Sequence, residues 1–143
     1  MIITPKLLQP PSGKTSFPFY QSPAACGFPS PAADYLEDRL SLDQLLVQHP
    51  TATFFARAQG NSMIGAGIHD GDLLIIDRSL TARSGDIVIA LLDGELLVKR
   101  LKLNNKKAEL HSEHPDYPPV RLTAEQELDV WGVVTQVIHE LRS

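Results

Sequence analysis

The sequence predicts a mostly β, compact antiparallel fold with one short helix and an extended N-terminal arm. Two observations carry this prediction. After position 53, short apolar segments alternate regularly with Gly- and Asp-containing turns, as in antiparallel β proteins. Before position 34, seven prolines exclude a regular helix. At 143 residues, the chain has the length of one domain with a substantial core.

The arm is predicted to span residues 1–33, and the β-rich domain to span residues 34–143. The arm is rich in proline, serine and alanine, which predicts an extended segment that is partly ordered at best. It contains an aromatic segment at Phe17, Pro18 and Phe19. Its simplest role is to hold the arm against the domain.

The domain is predicted to begin with a short helix. Ser41 followed three residues later by Gln44 has the spacing of a capping box, with Ser41 as the N-cap. The sequence His49-Pro50 is expected to end this helix.

The rest of the domain is predicted to be strands joined by turns. Asp93-Gly94 is a signal for a tight hairpin. Gly132, inside a long apolar segment, indicates a β-bulge. The predicted strands span residues 53–59, 73–76, 87–92, 96–101, 108–111, 120–122 and 128–138.

Composition limits the compartment and the partners. The formal net charge is −4 and the isoelectric point is near 5.7, which argues against broad nonspecific binding to nucleic acid. We also expect no direct sequence-specific binding to DNA. A single cysteine excludes an intramolecular disulfide and fits a reducing compartment. There is no apolar segment of membrane-spanning length and no signal-peptide core at the N-terminus. We expect a cytoplasmic protein.

Ser62 and Lys99 are the residues most suggestive of chemistry. Ser62 follows Gly60-Asn61, which predicts a turn, and a serine hydroxyl needs a neighbouring base to become a nucleophile. Lys99 lies in an apolar strand where Leu97 and Leu101 share its face. If that face is buried, desolvation would favour a neutral amine that can act as the base.

Two further features extend this hypothesis. The backbone N–H groups of Asn61 and Ser62 are candidates for an oxyanion site. Cys26-Gly27 lies among small residues in the arm, where a glycine lets the backbone enter a narrow cleft. A peptidase with such an arm could cut its own chain at this bond. The simpler alternative is that Cys26 is only a free thiol.

The remaining ionisable residues give no comparable signal. The five histidines have no metal-ligand spacing, and a Ser-His-Asp triad is a weaker alternative to the lysine. Asp70 and Asp72 flank Gly71 and are interpreted as turn residues. We therefore expect no metal and no cofactor. The histidines are His49, His69, His111, His114 and His139.

Four motifs in order resemble the UmuD branch of the LexA/UmuD family of self-cleaving proteins of the bacterial SOS response. They are Cys26–Ala32, Gly60–Met63, Asp70–Asp72 and Val98–Leu101. The resemblance extends from about Phe17 to the C-terminus.

The resemblance implies a catalytic dyad of Ser62 and Lys99 and cleavage between Cys26 and Gly27, stimulated by the RecA filament on single-stranded DNA. It further implies a homodimer that joins a UmuC-type subunit of an error-prone translesion DNA polymerase. In similar proteins a segment like Phe17–Phe19 contacts the replication sliding clamp.

Three alternatives stay open. A LexA-like repressor shares the dyad but needs a DNA-binding domain, for which the residues before the predicted cut are too few. A signal-peptidase-like enzyme also uses a serine and a lysine but needs a membrane anchor. A non-catalytic binding module would tolerate other residues at positions 62 and 99. The sequence does not indicate whether cleavage occurs within one chain or between two.

Overall fold

The computed structural model describes residues 2–7, 15–20, 36–105, 107–122 and 128–142. Within these ranges it contains ten strands, one α-helix (α1, Leu42–Leu46) and two 3-10 helices (Pro50–Ala52 and Ile64–Ala66). The strands are β1 (Ile2–Leu7), β2 (Phe17–Tyr20), β3 (Leu36–Leu40), β4 (Thr53–Gln59), β5 (Leu73–Asp77), β6 (Ile87–Leu92), β7 (Glu95–Asn104), β8 (Lys107–His111), β9 (Val120–Arg121) and β10 (Asp129–Ile138).

Eight of these strands form one antiparallel sheet, in the order β1-β4-β5-β10-β6-β7-β8-β9. The strand β1 also pairs with β7 through Ile2 and Leu97, so the sheet curls back on itself. The strands β2 and β3 form a separate two-stranded sheet. The predicted mostly β, antiparallel fold is confirmed.

Two predicted local features are confirmed in the sheet. Leu92 pairs with Glu95, which leaves Asp93 and Gly94 as a two-residue hairpin loop. Their φ angles are 51° and 81°, as the favoured hairpin turn requires, and glycine adopts this conformation without steric cost. The register of β10 against β6 shifts between Val130 and Gly132, where the bulge was expected.

The helix differs from its prediction. Ser41 is the N-cap, and its carbonyl accepts the Leu45 N–H at 3.0 Å, but its side chain makes no capping bond. The predicted capping box is therefore wrong. A helix of five residues has little more than one turn, so few of its residues can pack on the core. Leu42 and Leu45 accordingly remain about half exposed.

Among the described residues, buried side chains form two core clusters, and β7 contributes to both. Val98 belongs to the first cluster and Leu101 to the second, so this strand is buried on both faces. The first cluster contains Ala56, Ala58, Met63, Ile68, Leu74, Ile76, Ile89 and Val98. The second contains Val88, Ala90, Leu101, Leu110 and Val133.

The range predicted to be an arm contains β1 and β2. The strand β1 pairs with β4 along its whole length, and β2 pairs with β3. Arg39 reinforces the second pairing, since its guanidinium donates to the Ser16 carbonyl at 2.7 Å. Residues Cys26 and Gly27 lie outside the described residues. No helix in the described part of the chain is long and apolar enough to cross a membrane.

Candidate active site

The turn after β4 presents Ser62. The Gly60 N–H at its start donates to a carboxylate oxygen of Asp70 at 2.8 Å. After Ser62, the Met63 side chain is fully buried in the first core cluster, and the Met63 carbonyl accepts the Ile68 N–H at 3.2 Å. The turn is thus fixed on both sides of Ser62. Ser62 itself is only 3% exposed.

A segment that follows β8 holds this turn from the other side. The Glu113 N–H donates to the Ser62 carbonyl at 2.8 Å, and the Glu113 carbonyl accepts the Gly65 N–H at 2.8 Å. A Cβ atom on Gly65 would lie 2.7 Å from the Glu113 carbonyl oxygen. Only glycine permits this close backbone approach at position 65.

Lys99 on β7 reaches the same turn from within the sheet. Its Nζ lies 3.4 Å from Ser62 Oγ and 2.6 Å from Ser112 Oγ. The residue is 7% exposed, so the burial expected from its position between Leu97 and Leu101 is observed. Burial lowers the pKa of Lys99 from its ordinary value, because the charged ammonium loses hydration. A lowered pKa increases the fraction of neutral amine, which is the form able to accept a proton.

The neighbouring Arg100 points away from Ser62. Its Nε donates to the Glu113 carboxylate, and its Nη1 donates to the Gly85 carbonyl at 2.6 Å. Lys99 and Arg100 therefore contact two consecutive residues, Ser112 and Glu113. This arrangement links β7 to the Ser62 turn through a single short segment.

Ser112 was not identified from the sequence. Arg100 pairs with His111 in the β7–β8 register, so Ser112 lies opposite Lys99 one position beyond the last pair. Both strands of this hairpin are predicted from the sequence. Placing Ser112 opposite Lys99 also requires the register of the two strands, which depends on the conformation of the turn between them. Tyr117 is a second unpredicted neighbour, with its ring centroid 5.8 Å from Lys99 Nζ.

The other predicted site residues are distributed as follows. Asn61 is exposed beside Ser62, and its carbonyl accepts the Ile64 N–H at 3.3 Å. Phe17 and Phe19 are exposed on β2, with Pro18 between them. The histidines have partners of their own, as in the pairs His49–Asp77 and His111–Glu109. The structure brings Ser62 and Lys99 together although 37 residues separate them.

Comparison with known proteins shows which family the sequence matches. A family model described as Peptidase S24-like matches residues 18–135. The chain is 45% identical over 135 residues to Protein ImpA of Salmonella typhimurium, which covers 92% of this chain and 91% of that protein. It is 44% identical over 126 residues to Protein MucA of Escherichia coli, covering 87% and 86%. A LexA repressor of Oleidesulfovibrio alaskensis is 53% identical over 81 residues, covering 57% of this chain and 39% of the repressor.

Proposed function

Since the chain belongs to the S24-like peptidase family, we propose that it is a self-cleaving serine peptidase with Ser62 as nucleophile and Lys99 as general base. One observation carries this proposal: a buried lysine, with a lowered pKa, lies 3.4 Å from a buried serine hydroxyl. A solvated surface lysine would stay charged at neutral pH and could not accept the serine proton.

The reaction follows the usual course of acyl transfer. Neutral Lys99 accepts the Ser62 hydroxyl proton while Oγ attacks the carbonyl carbon of the scissile bond. The N–H groups of Asn61 and Ser62 are proposed to stabilise the developing oxyanion. When the C–N bond breaks, Lys99 returns its proton to the leaving amine. Water, activated by the same amine, then hydrolyses the ester on Ser62.

We propose that the scissile bond joins Cys26 and Gly27. Support comes from the small residues around this bond and from the resemblance of Cys26–Ala32 to the cleavage segment of UmuD-like proteins. Ser62 is held from both sides by backbone bonds, so the substrate segment must come to the serine.

The expected product begins at Gly27. It should appear when the purified chain is incubated with RecA, single-stranded DNA and a nucleoside triphosphate, and slowly at alkaline pH without RecA. Intact-mass spectrometry followed by N-terminal sequencing checks the position. A product with any other first residue would disprove the assigned bond, and a chain that stays intact in both conditions would disprove self-cleavage.

The biological setting is proposed from the motifs and the relatives together. The alignments to ImpA and MucA span most of both chains, whereas the LexA alignment covers a minor part of that repressor. We therefore favour the UmuD-like role, in which the cleaved protein forms a homodimer and joins a UmuC-type polymerase subunit in translesion synthesis. The exposed Phe17 and Phe19 are available for the proposed contact with the sliding clamp.

Ser112 is proposed to position Lys99. Its Oγ is the nearer of the two hydroxyls to Nζ, at 2.6 Å, and it accepts a hydrogen bond from the amine. A hydroxyl that accepts from the ammonium stabilises the charged form and also holds the amine beside Ser62.

Ser112→Ala is expected to slow self-cleavage by about tenfold, in the lower range for the loss of a positioning contact. It should also move the pH–rate profile towards lower pH, because the ammonium loses an acceptor. The measurement is the first-order rate of cleavage from pH 7 to 10, with Ser84→Ala, a change of an exposed serine, as the control. An unchanged profile with an unchanged rate would show that Ser112 has no positioning role.

A further inference from the structure

Three side chains outside the candidate active site converge where β5 begins and β10 ends. They are His69, Asp72 and His139, and their ligand-type nitrogen and oxygen atoms all lie within 4.8 Å of one another. His139 Nδ1 lies 2.5 Å from one Asp72 carboxylate oxygen, and His69 Nδ1 lies 3.6 Å from the other. The two imidazole rings are adjacent, with centroids 4.6 Å apart.

Sheet pairing creates this cluster. In the antiparallel pairing of β10 with β5, Ile138 pairs with Leu73. The next position outward therefore places His139 beside Asp72. His69 joins them because its own backbone N–H donates to the Asp72 carboxylate at 2.7 Å across a tight turn. Sequence spacing alone gives no sign of the cluster, since Asp72 and His139 are 67 residues apart.

Burial in the cluster is uneven in a way that suits a metal ion. The Asp72 side chain is 2% exposed, and its backbone N–H and carbonyl bond to His69 and Ala58. The two imidazoles are 47% and 44% exposed. The carboxylate is therefore fixed, while both rings are in contact with the solvent from which an ion can enter.

The donor set selects the class of metal. Two imidazole nitrogens and one carboxylate oxygen suit Zn²⁺ and neighbouring transition metals, whereas Mg²⁺ and Ca²⁺ prefer oxygen ligands throughout. Tetrahedral zinc with bonds of about 2.0–2.2 Å places its ligand atoms roughly 3.4 Å apart. The donor atoms already lie within 4.8 Å of one another, so rotation of the two exposed rings would bring them to this spacing, with water in the fourth position.

We propose that His69, Asp72 and His139 form a binding site for Zn²⁺ or a similar divalent transition metal. The ion fastens the end of β10 to the loop of residues 68–72. That loop also bonds to both sides of the serine turn, through the Ile68 N–H to the Met63 carbonyl and through Asp70 to the Gly60 N–H. Metal binding therefore stabilises the chain and braces the turn without taking part in the reaction.

The test measures zinc binding directly and does not depend on peptidase activity. Isothermal titration calorimetry of the full chain with ZnCl₂ should show one ion per chain, and zinc should raise the melting temperature until a chelator removes it. His69→Ser and His139→Gln should each weaken binding by about tenfold or more, because each removes one ligand. Both residues are half exposed, so circular dichroism should show folded variants.

His49→Gln is the matched control. His49 also pairs with a buried aspartate, since its Nδ1 lies 2.6 Å from Asp77, but it lies outside the three-residue cluster. This variant should bind zinc like the unaltered chain. Absence of saturable binding would overturn the site, and so would binding that survives both cluster substitutions or is lost in His49→Gln.

Discussion

Ser62→Ala is expected to abolish self-cleavage, reducing the rate by about 10⁴-fold or more, as loss of a catalytic nucleophile does in other serine peptidases. The variant lacks the atom that would form the ester intermediate. The other groups at the site, including Lys99 and the backbone N–H groups, cannot form this covalent intermediate in its place. The measurement is the fraction of intact chain over time, by mass spectrometry, with and without RecA and single-stranded DNA.

The Ser62→Ala chain should remain folded. The backbone bonds of the turn to Glu113 involve main-chain atoms only, and the Lys99 amine keeps Ser112 as an acceptor at 2.6 Å. The cost to stability should be about 1 kcal/mol, the typical net value of one hydrogen bond. Thermal unfolding checks this directly.

Ser84→Ala is the matched control for Ser62→Ala, since it removes the Oγ of an exposed serine on another loop. The Ser84 Oγ accepts the Leu103 N–H at 2.9 Å, so this control also removes one hydrogen bond. It should be cleaved at the normal rate. Cleavage of the Ser62→Ala chain at a comparable rate would assign the nucleophile to another residue.

Local sequence signals account for much of the fold. The two-residue hairpin at Asp93-Gly94 and the bulge at Gly132 occur where turn and glycine chemistry predict them. The strand 53–59 was predicted with the bounds it has. The helix was predicted less well, because Ser41 occupies the N-cap while its side chain makes no capping bond. N-cap preference is statistical, and the bond depends on a rotamer that the sequence does not specify.

Some residues of the candidate site could likewise be predicted from local sequence, and others could not. Ser62 and Lys99 could be selected because a nucleophile in a turn and a lysine between leucines are local patterns. Ser112 and Glu113 could not, because their roles depend on the register of β7 with β8 and on backbone contacts with the turn. Likewise, the cluster of His69, Asp72 and His139 depends on the pairing of β5 with β10. Long-range register is set by the packing of the whole sheet.

If Lys99 is the general base, the rate of self-cleavage should depend strongly on pH. Cleavage without RecA should accelerate as pH rises from 7, by about tenfold per pH unit while the amine is mostly charged. The rate should level off once pH passes the pKa of Lys99, which burial places below the ordinary value of 10.5. The pH dependence should follow a single deprotonation, measured as first-order rates of cleavage.

Lys99→Arg should be inactive at every pH in this range, because a guanidinium does not give up its proton. Lys102→Arg is the matched control, since Lys102 lies on the same strand and is exposed. It should keep the normal rate and profile. An active Lys99→Arg chain would exclude Lys99 as the base and favour a histidine. A rate that is flat from pH 7 to 10 would contradict an amine that is mostly charged at pH 7.

The lowered pKa of Lys99 also makes the stability of the fold depend on pH. Between the folded pKa and the higher unfolded pKa, the unfolded chain binds more protons, so the free energy of unfolding rises with pH. At neutral pH the buried amine therefore destabilises the fold. Lys99→Met should raise the free energy of unfolding at pH 7 by about 0.5–2 kcal/mol, the range of single stabilising substitutions.

This gain should narrow as pH rises through 10.5, because above that value the amine is neutral in both states. Urea unfolding of the two chains at several pH values, each carrying Ser62→Ala to prevent cleavage, measures the difference. A Lys99→Met chain that is less stable at neutral pH would mean that the amine contributes more through its bond to the Ser112 hydroxyl than it loses by burial.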